Sequence, residues 1–150
     1  MPFDRLVRTV DQWAGDTARS DIFAQIGPTD YCPSNVRWAR FLQPQEYQKR
    51  FAGARTVVAH AGTGSIITAL QLSKPIVIMP RRANLRETRN DHQVATAEYF
   101  RRFSSITVAW DETELVAKLS RVDDLHGLRA VGSYASGELL GAIRNFIDSG

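Results

Sequence analysis

The stretch TVVAHAGTGSIITALQLSKPIVIMP, residues 56–80, contains a strand, a helix and a second strand in succession, and it decides the fold class. Residues 56–61 and 74–80 are short apolar runs of the kind that form strands, and prolines bound the second run. Residues 65–73 continue as a helix after a loop that contains two glycines. Buried strands that do not alternate in polarity and are joined by a helix are typical of a parallel sheet with helices on both faces.

The rest of the chain continues this alternation of strands and helices. Residues 3–14 carry apolar side chains at spacings of three and four, which is the pattern of an amphipathic helix. Asp111 precedes an acidic first turn and marks another helix start. Further strands are predicted at residues 21–28, 35–42 and 105–110, and further helices at residues 44–52, 91–102, 111–122 and 137–147. The sequence therefore predicts an α/β protein with a Rossmann-like parallel sheet flanked by helices.

Composition limits the size and class of the protein. The 150 residues, 43% of them apolar, suffice for one core of ordinary size, so a single domain over residues 1–150 is expected. The net charge of +3 comes from scattered basic residues without interleaved aromatics, which argues against a nucleic-acid partner. Cys32 is the only cysteine, so an internal disulfide is excluded. Because neither a membrane span nor a signal peptide is recognisable, we expect a soluble, cytoplasmic protein.

The glycine loop lies where parallel sheets bind ligands, beyond the carboxyl end of a strand. Gly62 and Gly64 allow backbone N–H groups to approach a ligand, and Thr63 and Ser65 add hydroxyl groups. The following helix offers the positive end of its dipole, so the loop suits a phosphate or diphosphate. A tight strand-to-helix connection without a ligand is the alternative. The loop is neither a Walker A motif nor a GxGxxG motif.

A second polar loop follows the strand at residues 74–80, and it should lie at the same edge of the sheet. Its sequence, PRRANLRETRNDHQ, is rich in hydrogen-bonding groups. Arginine can pair with a phosphate or carboxylate, and amides can recognise sugar hydroxyls. Two such loops at one edge suggest a nucleotide-sugar, the alternative being a solvated loop in which Asn90 only caps a helix.

Residues 60–82, HAGTGSIITALQLSKPIVIMPRR, together with NDHQ at residues 90–93, resemble the C-terminal, donor-binding half of the family-28 glycosyltransferases, which have the GT-B architecture. The chain is similar to small members such as the catalytic subunits of two-part transferases in dolichol-linked oligosaccharide and bacterial exopolysaccharide synthesis. The resemblance implies inverting sugar transfer from a UDP-sugar, without another cofactor. It also implies a membrane-associated partner subunit that binds a lipid-linked acceptor and holds this chain at the inner membrane face.

The resemblance also assigns roles to residues. It implies that the diphosphate lies at Gly62, Thr63, Gly64 and Ser65, with His60 as the candidate catalytic residue at the mouth of the site. Phe41 and Leu42 match the segment that holds the uracil. Asn90, His92 and Gln93 match the segment that contacts the sugar hydroxyls. No DxD motif occurs, which agrees with catalysis that needs no metal ion.

Two departures from the family pattern affect these expectations. Thr68 stands where relatives commonly have a glutamate that grips the ribose. Relatives also have a first strand, ending in a Gly-Thr turn, directly before the helix that starts with FDRL at residues 3–6, whereas this chain starts with Met1. We therefore expect the sheet to lack the family's first strand, either through truncation or because the sheet is rearranged or homo-oligomeric.

The paired Arg81 and Arg82 suggest that the transferred sugar carries a carboxylate, as in UDP-glucuronate. His60 or His92 could serve as the base, but a base in the partner's acceptor half is preferred. Two other functions stay open. One is a non-catalytic donor half that stabilises its partner, and the other is an epimerase that acts on UDP-sugars.

Overall fold

A computed structural model describes residues 2–125, so the helix predicted at residues 137–147 lies outside the described residues. The helices and strands alternate along the chain as the sequence predicts, although most strands are shorter than expected. Their order is α1 (Asp4–Asp16), β1 (Phe23–Gln25), β2 (Arg37–Ala39), α2 (Pro44–Gly53), β3 (Val57–His60), α3 (Thr63–Gln71), β4 (Ile76–Met79), α4 (His92–Phe100), β5 (Ile106–Val108) and α5 (Glu112–Leu119).

Local sequence explains where several of these elements begin and end. The helix α2 has proline in its first turn, where the missing N–H costs no hydrogen bond. The N-cap of α5 is Asp111, whose side chain accepts a hydrogen bond of 2.8 Å from the N–H of Glu114. The helix α3 begins at Thr63, two residues earlier than predicted, because Gly62 takes the extended N-cap position.

All strand pairs are parallel, which confirms the predicted sheet class. The strands β3, β4 and β5 form one sheet with β4 at its centre, in the register Val57 with Ile76 and Ile76 with Ile106. All four residues of β4 are completely buried, since helices cover both of its faces. The continuous apolar run at residues 74–80 is therefore the centre of the core.

The strands β1 and β2 form a separate two-stranded sheet and are not bonded to β3. The sequence predicted one sheet, so this division corrects the expected topology. The edge of β1 opposite β2 and the edge of β3 opposite β4 have no strand partner among residues 2–125. A cleft separates these two edges.

Two apolar clusters cover the faces of the three-stranded sheet. One joins α3 and α4 to the sheet through residues that include Ile66, Ile78 and Phe100. The other joins α1 and α5 to the opposite face, with Phe3 and Leu115 among its members. Helices α1 and α5 also pack against each other, so the N-terminal helix is held by the centre of the protein. Within residues 2–125 no helix has the length and apolar character needed to cross a membrane.

Asp11 anchors the connection between β1 and β2 to α1. This carboxylate is only 2% exposed and accepts hydrogen bonds from the hydroxyl of Tyr31 and from the backbone N–H groups of Ser34 and Asn35. Burial alone would raise the pKa of Asp11, but these donors outweigh burial and lower the pKa. The small sheet is therefore tied to α1 although it makes no strand contact with the larger sheet.

Candidate functional site

The two polar loops predicted from the sequence meet at one edge of the three-stranded sheet. His60 is the last residue of β3 and Met79 is its partner at the end of β4. The glycine loop and α3 follow His60, and the loop that begins with Pro80 and Arg81 follows Met79. Because the strands are parallel, both loops leave the sheet at its carboxyl end, where ligands bind in this architecture.

The first turn of α3 presents backbone donors at this edge. Gly62 is its N-cap, has extended backbone angles and supplies no capping side chain. The helix geometry leaves the N–H groups of Thr63, Gly64 and Ser65 without partners inside the helix. These groups and the positive end of the helix dipole can bind an anion. A Cβ atom built on Gly64 meets no atom within 4 Å, so the space above this turn is open.

A chain of hydrogen bonds joins the two loops through Gln93. The side-chain oxygen of Gln93 accepts from the backbone N–H of Arg81 at 3.1 Å. Its side-chain nitrogen lies 3.1 Å from Nδ1 of His60. Because the bond to Arg81 fixes which end of the amide is the oxygen, the nitrogen faces His60 and donates. His60 therefore carries its proton on Nε2 and offers an N–H donor from the other side of the ring.

Burial lowers the pKa of the half-buried His60 below its ordinary value of 6.5, and the positive charge of Arg81 lowers it further. His60 is therefore neutral near pH 7. Burial also lowers the pKa of Arg81 from the ordinary guanidinium value, but arginine remains cationic in proteins. The edge thus combines one positive charge, a neutral histidine donor and the α3 amides, a set that suits an anion.

Gly62 has a packing role in addition to its backbone freedom. A Cβ atom at this position would lie 2.3 Å from Cε1 and 2.9 Å from Nδ1 of His60. Any other residue would therefore push the imidazole out of its position beside Gln93. The histidine and the glycine two residues later form one unit that the sequence shows only as HAG.

A cleft of about 1180 Å³ extends from this edge between β1 and β3. His60, Ser65 and Arg81 line it, and so do Phe41 and Leu42 from the loop before α2. The ring of Phe41 is 70% exposed, and the backbone N–H of Leu42 donates to the side-chain oxygen of Gln25 at 2.9 Å.

The structure thus places five of the predicted residues around one cavity.

The other predicted residues are not part of the cleft lining, namely Gly62, Thr63, Gly64, Asn90, His92 and Gln93. Asn90 and His92 are exposed at the start of α4, where the side-chain oxygen of Asn90 accepts from the backbone N–H of His92 at 2.9 Å. Gln93 is the half-buried residue of this segment and the one that reaches His60. Thr68 directs its hydroxyl to the carbonyl of Gly64 at 2.9 Å, so this donor is engaged within α3.

Arg82 is engaged within the protein. Two further residues, Arg5 and Glu87, shape the loop although the sequence assigned them no role in the site. The guanidinium of Arg82 donates to the carbonyl of Trp110 at 3.0 Å, so Arg81 alone of the pair lines the cleft. Arg5 on α1 holds Glu87 through two hydrogen bonds of 2.9 Å and also donates to the carbonyl of Pro80 at 3.2 Å. Arg5 and Glu87 are 82 positions apart, and no local pattern links them.

Among residues 2–125, no group of three or more His, Cys, Asp or Glu side chains is placed to share a metal ion.

Comparison with known proteins identifies the domain type. Residues 2–124 match the model of the glycosyltransferase family 28 C-terminal domain. A solved structure described as the glycotransferase of kitacinnamycin has the same fold, with a TM-score of 0.60 and 23% sequence identity. The superposition covers 93% of this chain and 34% of that protein, so the chain spans about a third of the length of this relative. No curated protein sequence matches.

Proposed function

Because this chain belongs to the glycosyltransferase family 28 C-terminal domains, we propose that its cleft edge binds the UDP part of a UDP-sugar and that the chain is the donor-binding catalytic half of an inverting, metal-independent glycosyltransferase. The observation that carries the proposal is the contact between His60 and Gln93, which joins the two carboxyl-edge loops beside the open first turn of α3.

The first turn of α3 holds the diphosphate in this proposal. Departure of UDP from the sugar places negative charge on the diphosphate, and fixed donors stabilise that charge without reorganising. The N–H groups of Thr63, Gly64 and Ser65 supply such donors. The neutral His60 adds its Nε2–H group, and Arg81 adds a positive charge at the same edge.

His60 acts as a hydrogen-bond donor to the leaving group in this proposal and not as the base. Its Nδ1 lone pair accepts from Gln93, and its Nε2 carries a proton. Inversion also needs a base to remove the proton of the acceptor hydroxyl. A partner subunit that carries the acceptor half supplies this base and brings the lipid-linked acceptor to the inner membrane face. This chain would then be active only together with that partner.

The remaining parts of the donor are assigned by position. The exposed ring of Phe41 and the side chain of Leu42 provide an apolar wall for the uracil. Asn90 and His92 lie next to Gln93 at the start of α4 and are proposed to contact the sugar hydroxyls. Arg81 would pair with the carboxylate of a uronic acid, which makes UDP-glucuronate the preferred donor.

Calorimetric titration with UDP tests the donor site directly. We expect Gly64→Val to abolish measurable binding without unfolding the chain, since a side chain there meets no protein atom and occupies the space proposed for the diphosphate. We expect Gln93→Ala to weaken UDP binding by about tenfold or more, because it removes the hydrogen bonds to His60 and to the backbone of Arg81 that join the two loops. The exposed Gln71→Ala at the other end of α3 is the matched control and should bind like the parent chain.

Absence of UDP binding by the parent chain, or unchanged binding by Gly64→Val, would contradict the proposed site. Parallel titrations with UDP-glucuronate, UDP-glucose and UDP-N-acetylglucosamine test whether Arg81 favours a sugar with a carboxylate. Equal affinities for the three donors would contradict that preference. A transfer assay with the co-purified partner subunit separates an enzyme from a scaffold. A scaffold would support the same sugar transfer whether or not its own UDP site carries Gly64→Val.

A further inference from the structure

We infer that Gln25 selects the base of the bound nucleotide, because its side-chain amide donates a hydrogen bond to the O4 carbonyl of uracil. The inference rests on the proposed function, in which the diphosphate lies at the first turn of α3 and the uracil lies against Phe41 and Leu42. Gln25 is the last residue of β1, and it lines the cleft together with Phe41 and Leu42. The sequence assigned this glutamine no role.

The segment between β2 and α2 is held in place by Gln25. At its start, the backbone N–H of Gly27 donates to the carbonyl of Arg40 at 2.9 Å, which extends the pairing of β1 with β2. At its end, α2 begins with Pro44. Between these points the backbone N–H of Leu42 donates to the side-chain oxygen of Gln25 at 2.9 Å. The position of the apolar wall proposed for the uracil therefore depends on this one side chain.

The same hydrogen bond fixes how the Gln25 amide is turned. A backbone N–H group can only donate, so the amide atom that meets Leu42 is the oxygen and the NH₂ group is the other atom. Gln25 is exposed in the cleft, and its NH₂ group donates to no atom of residues 2–125. Because the N–H of Leu42 is already engaged, the donor available to a ligand at this point is the NH₂ group of Gln25.

The distance from the diphosphate site decides which part of the base meets Gln25. The first turn of α3 follows β3 on one side of the cleft, whereas Gln25 belongs to the small sheet on the other side. A nucleotide whose diphosphate is held at α3 extends its base toward this second side. The 4-position of a pyrimidine lies across the ring from the ribose, so the group at this position is the one that reaches Gln25.

The 4-position is also where uracil and cytosine differ most. Uracil carries a carbonyl oxygen there, which accepts a hydrogen bond, whereas cytosine carries an amino group, which donates. The NH₂ group of Gln25 bonds to the first and faces the second as donor against donor. The ring of Phe41, which is 70% exposed, can stack on either base and does not distinguish them. Selection of uracil is therefore assigned to Gln25.

Calorimetric titration with UDP and CDP tests this assignment, since the two nucleotides share the ribose and the diphosphate. We expect the parent chain to bind UDP about tenfold or more tightly than CDP, as one hydrogen bond is replaced by a contact between two donors. In Gln25→Glu the carboxylate still accepts from the N–H of Leu42 but has no proton to donate. This variant should lose or reverse the preference, because a carboxylate accepts from the amino group of cytosine.

Gln45→Glu is the matched control. Gln45 is exposed in the first turn of α2 and is not part of the cleft lining, so the variant adds the same charge near the same segment. A new negative charge repels the diphosphates of UDP and CDP alike, so the ratio of the two affinities reports the base alone. Gln45→Glu should keep the ratio of the parent chain. Gln25→Ala also releases Leu42, so it should weaken both nucleotides and abolish the preference.

Three results would overturn the inference. The same ratio in the parent chain and in Gln25→Glu would show that another group reads the base, and a ratio near one in the parent chain would show that the base is not selected. Binding of neither nucleotide would contradict the donor site and this inference together. If Gly64→Val abolishes UDP binding while Gln25→Glu keeps the parent ratio, only the inference fails. Circular dichroism verifies folding, and the ratio in Gln25→Ala decides if Gln25→Glu does not fold.

Discussion

Single residues at this site act through very short-range contacts. Gly62 is needed because the imidazole of His60 occupies the space of its missing side chain. Gly64 lies two residues later and faces open space, so the same residue type has a different role in the same loop. The sequence suggested both glycines as places of close approach to a ligand, but it could not indicate that the first accommodates a side chain of the protein.

Gly62→Ala should lower the free energy of unfolding by about 1–3 kcal/mol, because the added methyl group overlaps the His60 ring and forces it away from Gln93. Gly53→Ala is the matched control. Its Cβ atom would meet nothing within 4 Å at the end of α2, so its effect should stay within about 1 kcal/mol and can be stabilising. Urea unfolding measures both, and equal stabilities for the two variants would show that the His60 ring does not depend on Gly62.

At the scale of elements, one arginine fixes the loop after β4 to the first helix. Arg5 binds Glu87 through two parallel bonds and contacts the carbonyl of Pro80, while Glu87 also accepts from the backbone N–H of Arg82 at 3.1 Å. The loop that carries Arg81 to the cleft is thus held from both ends. Helix α1 has a structural role in the candidate site although it contributes no residue that the sequence assigned to ligand binding.

The two carboxylates that pair with Arg5, on Glu87 and Glu112, allow the effect of burial on an ion pair to be compared. Glu87 is only 11% exposed, so Glu87→Gln should cost about 1–3 kcal/mol of stability by leaving part of the Arg5 charge unpaired. Glu112 contacts the same arginine at 3.1 Å but is 50% exposed, and Glu112→Gln should cost less than about 1 kcal/mol. Chemical unfolding of the two variants checks this order, and a larger loss for Glu112→Gln would contradict the proposed role of Glu87.

At the scale of the whole molecule, the central strand β4 is covered on all sides, whereas the edges of β1 and β3 that face the cleft have no strand partner among residues 2–125. The strand β4 is paired on both edges and buried on both faces. The strands β1 and β3 are each paired on one edge only within residues 2–125. Local stability should follow this difference, because opening is easiest where backbone groups have few partners.

Hydrogen exchange should therefore be slowest in β4. We expect the amide of Val77 to exchange about 100-fold more slowly than the amide of Val58, which faces the cleft, since the latter lacks a strand partner. Ile76, whose N–H bonds to Ser105 at 3.0 Å, serves as a second protected reference. Exchange of Val58 and Val77 at equal rates would mean that the cleft-facing edge is already covered.

The sequence by itself determined the order and type of the elements and the place of the candidate site. The apolar run at residues 74–80, the helical spacing of residues 3–14 and the Asp111 cap each depend on neighbouring residues, and the structure places a strand, a helix and a cap there. The carboxyl-edge position of His60 and Arg81 follows from parallel strands alone.

Only the tertiary structure decided which strands pair and which side chains meet. Gln93 reaches His60 across 33 positions and Arg5 reaches Glu87 across 82, and no sequence period encodes such distances. The division of the sheet and the cleft between β1 and β3 likewise depend on strand pairing, which the sequence of each strand does not specify. Local patterns arise from backbone geometry within a few residues, whereas pairing depends on the free energy of the whole packed molecule.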